Sequence, residues 1–189
     1  FPEAAGDVDK VAAQIFETTK AGLLTVGDIG ESMKYASTAG ILYGQTLEGT
    51  LTVLKSLAQA GIKGTAAGTA YSNMLQDLGG RSKPAIAALK EIEARTGKTI
   101  STFDAMGKAR PAFDVINDIG NALKQFRTDD ALKLLNQLFT ERGIKAYAAS
   151  VRDGTDALTE FADKLKDTDK TAFFMAAKGM MDTTKGAFD

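Results

Sequence analysis

Gln59-Ala-Gly-Ile-Lys-Gly-Thr-Ala-Ala-Gly-Thr-Ala-Tyr-Ser-Asn-Met-Leu75 joins a helix stop to a helix built almost entirely of small residues. Gly61 is placed to take the left-handed backbone that ends the preceding helix, and Gly64 reopens the chain into the next one. The face formed by Gly64, Ala67, Gly68 and Ala70 carries almost no side-chain bulk, so another helix can approach its backbone closely.

Outward from this stretch, apolar residues recur at helical spacing nearly throughout. Val8, Val11, Ala12, Ile15 and Phe16 make one stripe, and Leu47, Leu51, Leu54 and Ala58 a second. Ile116, Ile119, Leu123 and Phe126 follow, then Leu132, Leu135, Leu138 and Phe139, then Leu158, Phe161, Ala162 and Leu165. Asp7, Thr25, Thr46, Ser82, Thr128 and Thr155 can each accept hydrogen bonds from the free amides of a helix start, and Thr25 with Asp28 has capping-box spacing. Gly40, Gly61, Gly79-Gly80, Gly97 and Gly143 stand where helices should end or turn, while Pro84 and Pro111 stand at helix beginnings.

One segment departs from the helical rule. Thr99-Ile-Ser-Thr-Phe103 is rich in β-branched residues, and Asp104-Ala-Met-Gly107 has Asp first and Gly fourth, as a type I turn prefers. The fold class read from these signals is mostly all-α, a compact bundle of eight to nine short helices with a small β-hairpin near 99–110. The expected organisation is a single helical module over 1–189, the alternative being two helical subdomains over about 1–98 and 99–189.

Composition removes several function classes. With 23 Lys plus Arg against 24 Asp plus Glu, the chain has no basic field of the kind nucleic acids and acidic membranes require. It has no cysteine, histidine or tryptophan, which removes disulfides, thiolate chemistry and most transition-metal sites. No apolar run approaches the roughly 20 residues of a membrane span, no calcium-loop spacing is present, and no cofactor is expected. The start at Phe1 is neither a signal peptide nor an initiator methionine, so a piece of a longer polypeptide is expected.

Several readings compete with plain packing. Gly61-Ile-Lys-Gly64 has the form of a loop that clamps a nucleic-acid backbone, with Lys63 on a phosphate, but it equally forms a helix-helix turn. A hydrolase would have to run on carboxylates, drawn from Glu31, Glu91, Glu93 or Glu160, each of which also reads as a solvated charge on an exposed helical face. Arg110-Pro111 can be a corner that binds a partner's carboxylate, or a helix start whose arginine pairs with a nearby acid. Phe173-Phe174-Met175 and Met180-Met181 offer apolar surface beyond one helix stripe, for core or for another subunit.

The run from Gly61 to Leu75 resembles the most recognisable segment of phage tail tape measure proteins. Phe103-Asp-Ala-Met-Gly-Lys-Ala-Arg-Pro-Ala-Phe-Asp-Val-Ile116 is similar to that family's short strand, acidic turn and Arg-Pro helix start. Leu135-Asn-Gln-Leu-Phe-Thr-Glu-Arg-Gly-Ile144 resembles its next helix, ending in a turn at Arg142-Gly143, and Met180 to Phe188 its closing segment. The motif residues are Gly61, Lys63, Gly64, Gly68, Asp104, Gly107, Arg110, Pro111, Arg142 and Gly143. The resemblance implies a non-enzymatic structural protein of the virion tail interior, assembled in the host cytoplasm, which fixes tail length and leaves ahead of the DNA. It implies as partners further copies of itself, the tail tube protein, tail-tip or baseplate proteins and tail assembly chaperones. A carboxylate-dependent peptidoglycan hydrolase and a nucleic-acid-binding module are the alternatives. A ruler should be a helix without stops, whereas this segment carries a cap or glycine every few turns, so it reads as a folded module within a ruler protein.

Overall fold

Leu47–Gln59 is apolar or small on nearly every side, and such a helix must lie inside the protein. The computed structural model describes residues 1–20, 22–79 and 82–168, with 171, 174 and 175. Among the described residues a 3-10 turn (Pro2–Ala4) precedes nine α-helices. These are α1 (Val8–Thr19), α2 (Val26–Leu42), α3 (Leu47–Gln59), α4 (Gly64–Gly79), α5 (Lys83–Thr96), α6 (Ala112–Leu123), α7 (Thr128–Leu138), α8 (Glu141–Ser150) and α9 (Thr155–Lys166). Helix α3 touches α1, α2, α4, α6, α8 and α9, and its Leu51, Val53, Leu54 and Leu57 are almost wholly removed from water. The principal core runs from Ala36 on α2 to Ala162 on α9; a smaller cluster of Leu24, Ile29, Leu47, Leu51, Ala58, Phe161 and Leu165 lies beside it.

Most of the helix punctuation follows local chemistry. The side chains of Asp7, Thr25, Thr46 and Ser82 accept from the amides of Lys10, Asp28, Gly49 and Ala85, and Thr25 with Asp28 closes a full capping box. Gly61 (φ 83°) ends α3 in a Schellman motif, with Ile62 N donating to Leu57 O at 2.9 Å and Gly61 N to Ala58 O at 2.9 Å. Gly97 (φ 68°) closes α5, and Pro84 lies in its first turn.

Other signals resolve differently. Gly40 is buried inside α2 rather than at its end; the chain turns at Gly44 (φ 61°) instead. Gly143 lies in the first turn of α8, so the Arg142-Gly143 turn expected at the end of a helix is the start of one, capped by Thr140. Arg127, not Thr128, holds the N-cap position of α7, and Gly154 holds that of α9. Val8 and Leu132, counted to buried stripes, are exposed; α7 buries Leu134 and Leu138. The hairpin contracts to an isolated antiparallel bridge between Phe103 and Ala109, and no strand forms among the described residues. Arg110 N still reaches Thr102 O, but Pro111 has no amide to continue the ladder and α6 begins there. Gly80, Phe173, Met180-Met181 and the closing segment to Phe188 lie outside the described residues, whereas Phe174 and Met175 are described and exposed.

The same substitution should act with opposite sign at two glycines. Gly61→Ala forces a side chain into the left-handed region and is expected to lower stability by about 1–2 kcal/mol. Gly30→Ala, in the exposed interior of α2 with open space around its Cα, should raise stability by about 0.5–1 kcal/mol. Urea denaturation of both variants beside the parent checks the pair.

Candidate functional site: the crossing of α2 and α4 and the turns around it

The small face of α4 meets α2. A Cβ built on Gly68 would lie 2.1 Å from the Ser32 carbonyl oxygen and 3.1 Å from Ser32 Cα, so the two backbones touch. Ser32 is fully buried, and its hydroxyl lies 2.8 Å from Asp28 O and 2.9 Å from Gly64 O, sharing its proton across the crossing. Ala36 and Ala67 are likewise sealed, and Glu31 Cβ approaches Gly64. Gly64 itself starts α4 at φ 56°, which lets the chain reverse directly after the Schellman turn. Lys63 is an exposed residue of that turn, close enough to Asp28 for its charge to be felt there.

The rest of α4 is positioned by this contact. Tyr71 is fully buried on the same side, its hydroxyl 3.1 Å from Thr50 Oγ1 of α3, and burial pushes its phenol well above the ordinary range. At the far end Gly79 leaves room for the Tyr43 ring; a Cβ there would sit 2.2 Å from Tyr43 Cε1. Two residues earlier Asp77 Oδ2 accepts from Thr140 N at 3.0 Å and from Thr140 Oγ1 at 2.8 Å, fastening the start of α8 to α4. Gly143 is the place where this carboxylate fits, since a Cβ would lie 1.9 Å from Asp77 Oδ2. Arg142 beside it is exposed.

The hairpin turn docks against the same helix end. Gly107 N donates to Asp104 O at 3.0 Å with Gly107 at φ 79°, and Asp104 Oδ1 accepts from Met106 N and Lys108 N, each at 2.9 Å. Arg110 donates to Ser101 O and to Asp118 Oδ2, both at 2.8 Å, so its guanidinium is engaged within the chain. Pro111 offers no side-chain cap to α6, and the acceptor comes from elsewhere. Gln45, buried between α2 and α3, takes Ala112 N on Oε1 at 2.6 Å and donates from Nε2 to Tyr43 O and Arg110 O. A small crevice lined by Tyr43, Gln45, Leu75, Gly79 and Arg110 marks where the hairpin meets α4.

Of the motif residues, Gly64 and Gly68 lie on α4 and Gly143 meets it through Asp77, while Gln45 binds Arg110 O and Ala112 N on either side of Pro111 beside the end of α4. Ser32, Tyr43, Gln45, Thr50, Tyr71, Asp77 and Thr140 belong to the same arrangement and were not singled out from sequence. For Ser32 a signal existed, because Gly27, Gly30, Ser32, Ala36, Ala39 and Gly40 make α2 as rich in small residues as α4. Gln45 has no such signal, since its partner lies 67 residues away.

The carboxylates weighed for catalysis are not gathered. Glu31 is on α2 with Lys34 at 2.6 Å, Glu91 and Glu93 are on α5 facing Arg95 and Thr99, and Glu160 is exposed on α9. Among the described residues no group of three or more acids forms a metal cluster, and no helix is long and apolar enough to cross a membrane.

Comparisons with known proteins point one way. A family model described as phage-related minor tail protein matches residues 2–140. Over 172 residues, 91% of the chain, the sequence is 26% identical to the tape measure protein of Pneumococcus phage Dp-1. The chain spans only 14% of the length of that relative. No solved structure matches it.

Gly68→Ala is expected to destabilise the protein by about 1–3 kcal/mol, because the obstacle is backbone and cannot rotate away, and Gly68→Leu by more. Thermal melts of both variants matching the parent would show that α2 and α4 are not in contact at Gly68. Gln45→Ala should lower stability by about 1–3 kcal/mol through the stranded amide of Ala112, read by chemical denaturation.

Proposed function

The chain belongs to the phage-related minor tail protein family, structural components of the virion tail that work in contact with other tail components, and from that membership we propose that it is a folded module of a tape measure protein. The observation that carries the reading is its likeness over 91% of its length to a short part of the tape measure protein of Pneumococcus phage Dp-1. The parent protein, in this reading, sets tail length, is assembled in the host cytoplasm within the growing tail and takes part in DNA ejection. The module contributes shape and contact rather than catalysis. Its partners are further copies of itself, the tail tube protein, tail-tip or baseplate proteins and tail assembly chaperones. We further propose that it folds as one unit over 1–189 rather than as two meeting near residue 98, a reading supported by a core that runs unbroken from Ala36 to Ala162.

Shape distinguishes this module from the rod expected of a ruler. As a continuous helix 189 residues would reach on the order of 280 Å at about 1.5 Å per residue. Among the described residues the longest helix has 17 residues, and a bundle of this kind is only a few tens of ångströms across.

An in-frame deletion of the segment in the parent phage should therefore shorten tails much less than deletion of an equally long stop-free helix, with tail lengths measured by electron microscopy. Equal shortening from the two deletions would mean that the segment is stretched along the tube, and the compact-module reading would fall.

A further inference from the structure

Helix α1 is attached to the bundle differently from its neighbours. The residues it buries are Ala13, Gln14 and Thr18, whereas Val8 is exposed and Val11, Ile15 and Phe16 are only partly covered. Its hydrogen bonds and ion pairs to the other helices run through polar side chains. Gln14 donates to Glu48 Oε1 on α3 at 2.9 Å and to Leu165 O on α9 at 3.2 Å. Lys10 stands 3.6 Å from Glu48, and Glu17 is bound by Lys164 of α9 with Lys20 at 3.6 Å. Beneath α1 lies the smaller apolar cluster, against which Val11 and Ile15 pack.

We propose that α1 is a strap held by a polar latch: it lifts off as a unit ahead of the core when the Glu17–Lys164 and Glu48–Lys10 pairs are weakened, uncovering Leu24, Ile29, Leu51, Phe161 and Leu165. Elements of this kind open locally because little apolar area holds them down, and their opening need not disturb α3 or α4. The proposal does not depend on the tail-assembly reading.

The charges around the latch fix the direction of its response. Glu17 faces Lys20 on its own helix, Lys164 on α9 and Lys55 on α3, whose ammonium lies 3.4 Å over the Phe161 ring. Burial pushes the Glu17 carboxyl up, but the bond and charge of Lys164, with Lys20, outweigh it and hold the group below the ordinary glutamate range. Glu48 behaves alike: burial raises it, and the bonds from Gln14, its own amide and Thr46 with the charge of Lys10 bring it below that range. Glu48 and Lys10 line a cavity of about 340 Å³ whose other charged residues are Glu3, Asp7 and Lys166. Because both folded values lie below the unfolded value of about 4.5, the latch is at full strength above that pH. It is lost as pH falls through the folded values.

Hydrogen exchange of the 189-residue chain, with protection factors corrected for intrinsic rates, reads this helix by helix. At about pH 7, Glu17→Gln combined with Glu48→Gln should cut the protection of α1 by roughly 10-fold or more while α4 stays within about 2-fold. In the parent protein α1 should lose protection before α4 as the pH is lowered below about 4.5, and raised salt should act in the same direction. If the double variant does not fold, Lys164→Gln, at an exposed residue, breaks the Glu17 arm of the latch alone and should lower the protection of α1 in the same direction by a smaller factor, with α4 unchanged. Protection lost in α1 and α4 together, or α1 protection unchanged in the variants and in acid, would overturn the proposal.

Discussion

The contact on which the rest of the structure depends is the approach of Gly68 to the Ser32 carbonyl. It leaves no room for even a methyl group, so α2 and α4 meet at backbone distance and their relative position has little freedom. The buried hydroxyl of Ser32 finds its acceptors in Asp28 O and Gly64 O, so the close crossing leaves it hydrogen-bonded and ties α2 to the start of α4. With α4 fixed at this point, its 3.6-residue repeat decides what its remaining side chains meet. Tyr71 falls on Thr50, Asp77 falls under Thr140, and Gly79 falls against Tyr43.

Several of the motif residues act on backbone shape and helix ends. Gly61 and Gly64 aim α4 through positive φ, Gly68 admits α2, and Gly143 admits the Asp77 carboxylate. Arg110 ties the hairpin to α6 through Asp118, and Asp104 holds the hairpin's own turn.

The bundle is not uniformly held. Helix α3 is held mainly by its buried Leu51, Val53, Leu54 and Leu57, while α1 rests on glutamate, lysine and glutamine contacts over a small apolar cluster. A second polar accommodation occurs at α6, where burial raises the Asp114 carboxyl even though Arg110 and Lys166 pull it down, with Asp118 and Asp163 adding repulsion. The protein thus combines a tightly packed centre with charged seams at its margin, and the seams are where conditions can act.

What the sequence determined by itself is what short-range chemistry controls. The helical character, the caps at Asp7, Thr25, Thr46 and Ser82, the stops at Gly61 and Gly97 and the Asp104–Gly107 turn each depend on residues within a few positions of one another. The bulk-free face around Gly68 was legible too, and so was its closeness to a partner helix. The partner itself was not, because any helix with a small face would fit and only the folded chain selects α2. Gly40 and Gly143 looked like stops because a glycine for a turn and a glycine for a close approach are the same letter; their tertiary neighbours, Phe1 with Thr50 and Asp77, decide which is meant. Gln45 as the cap of α6 belongs wholly to the tertiary structure, since a hydrogen bond spanning 67 residues leaves no mark on the local pattern.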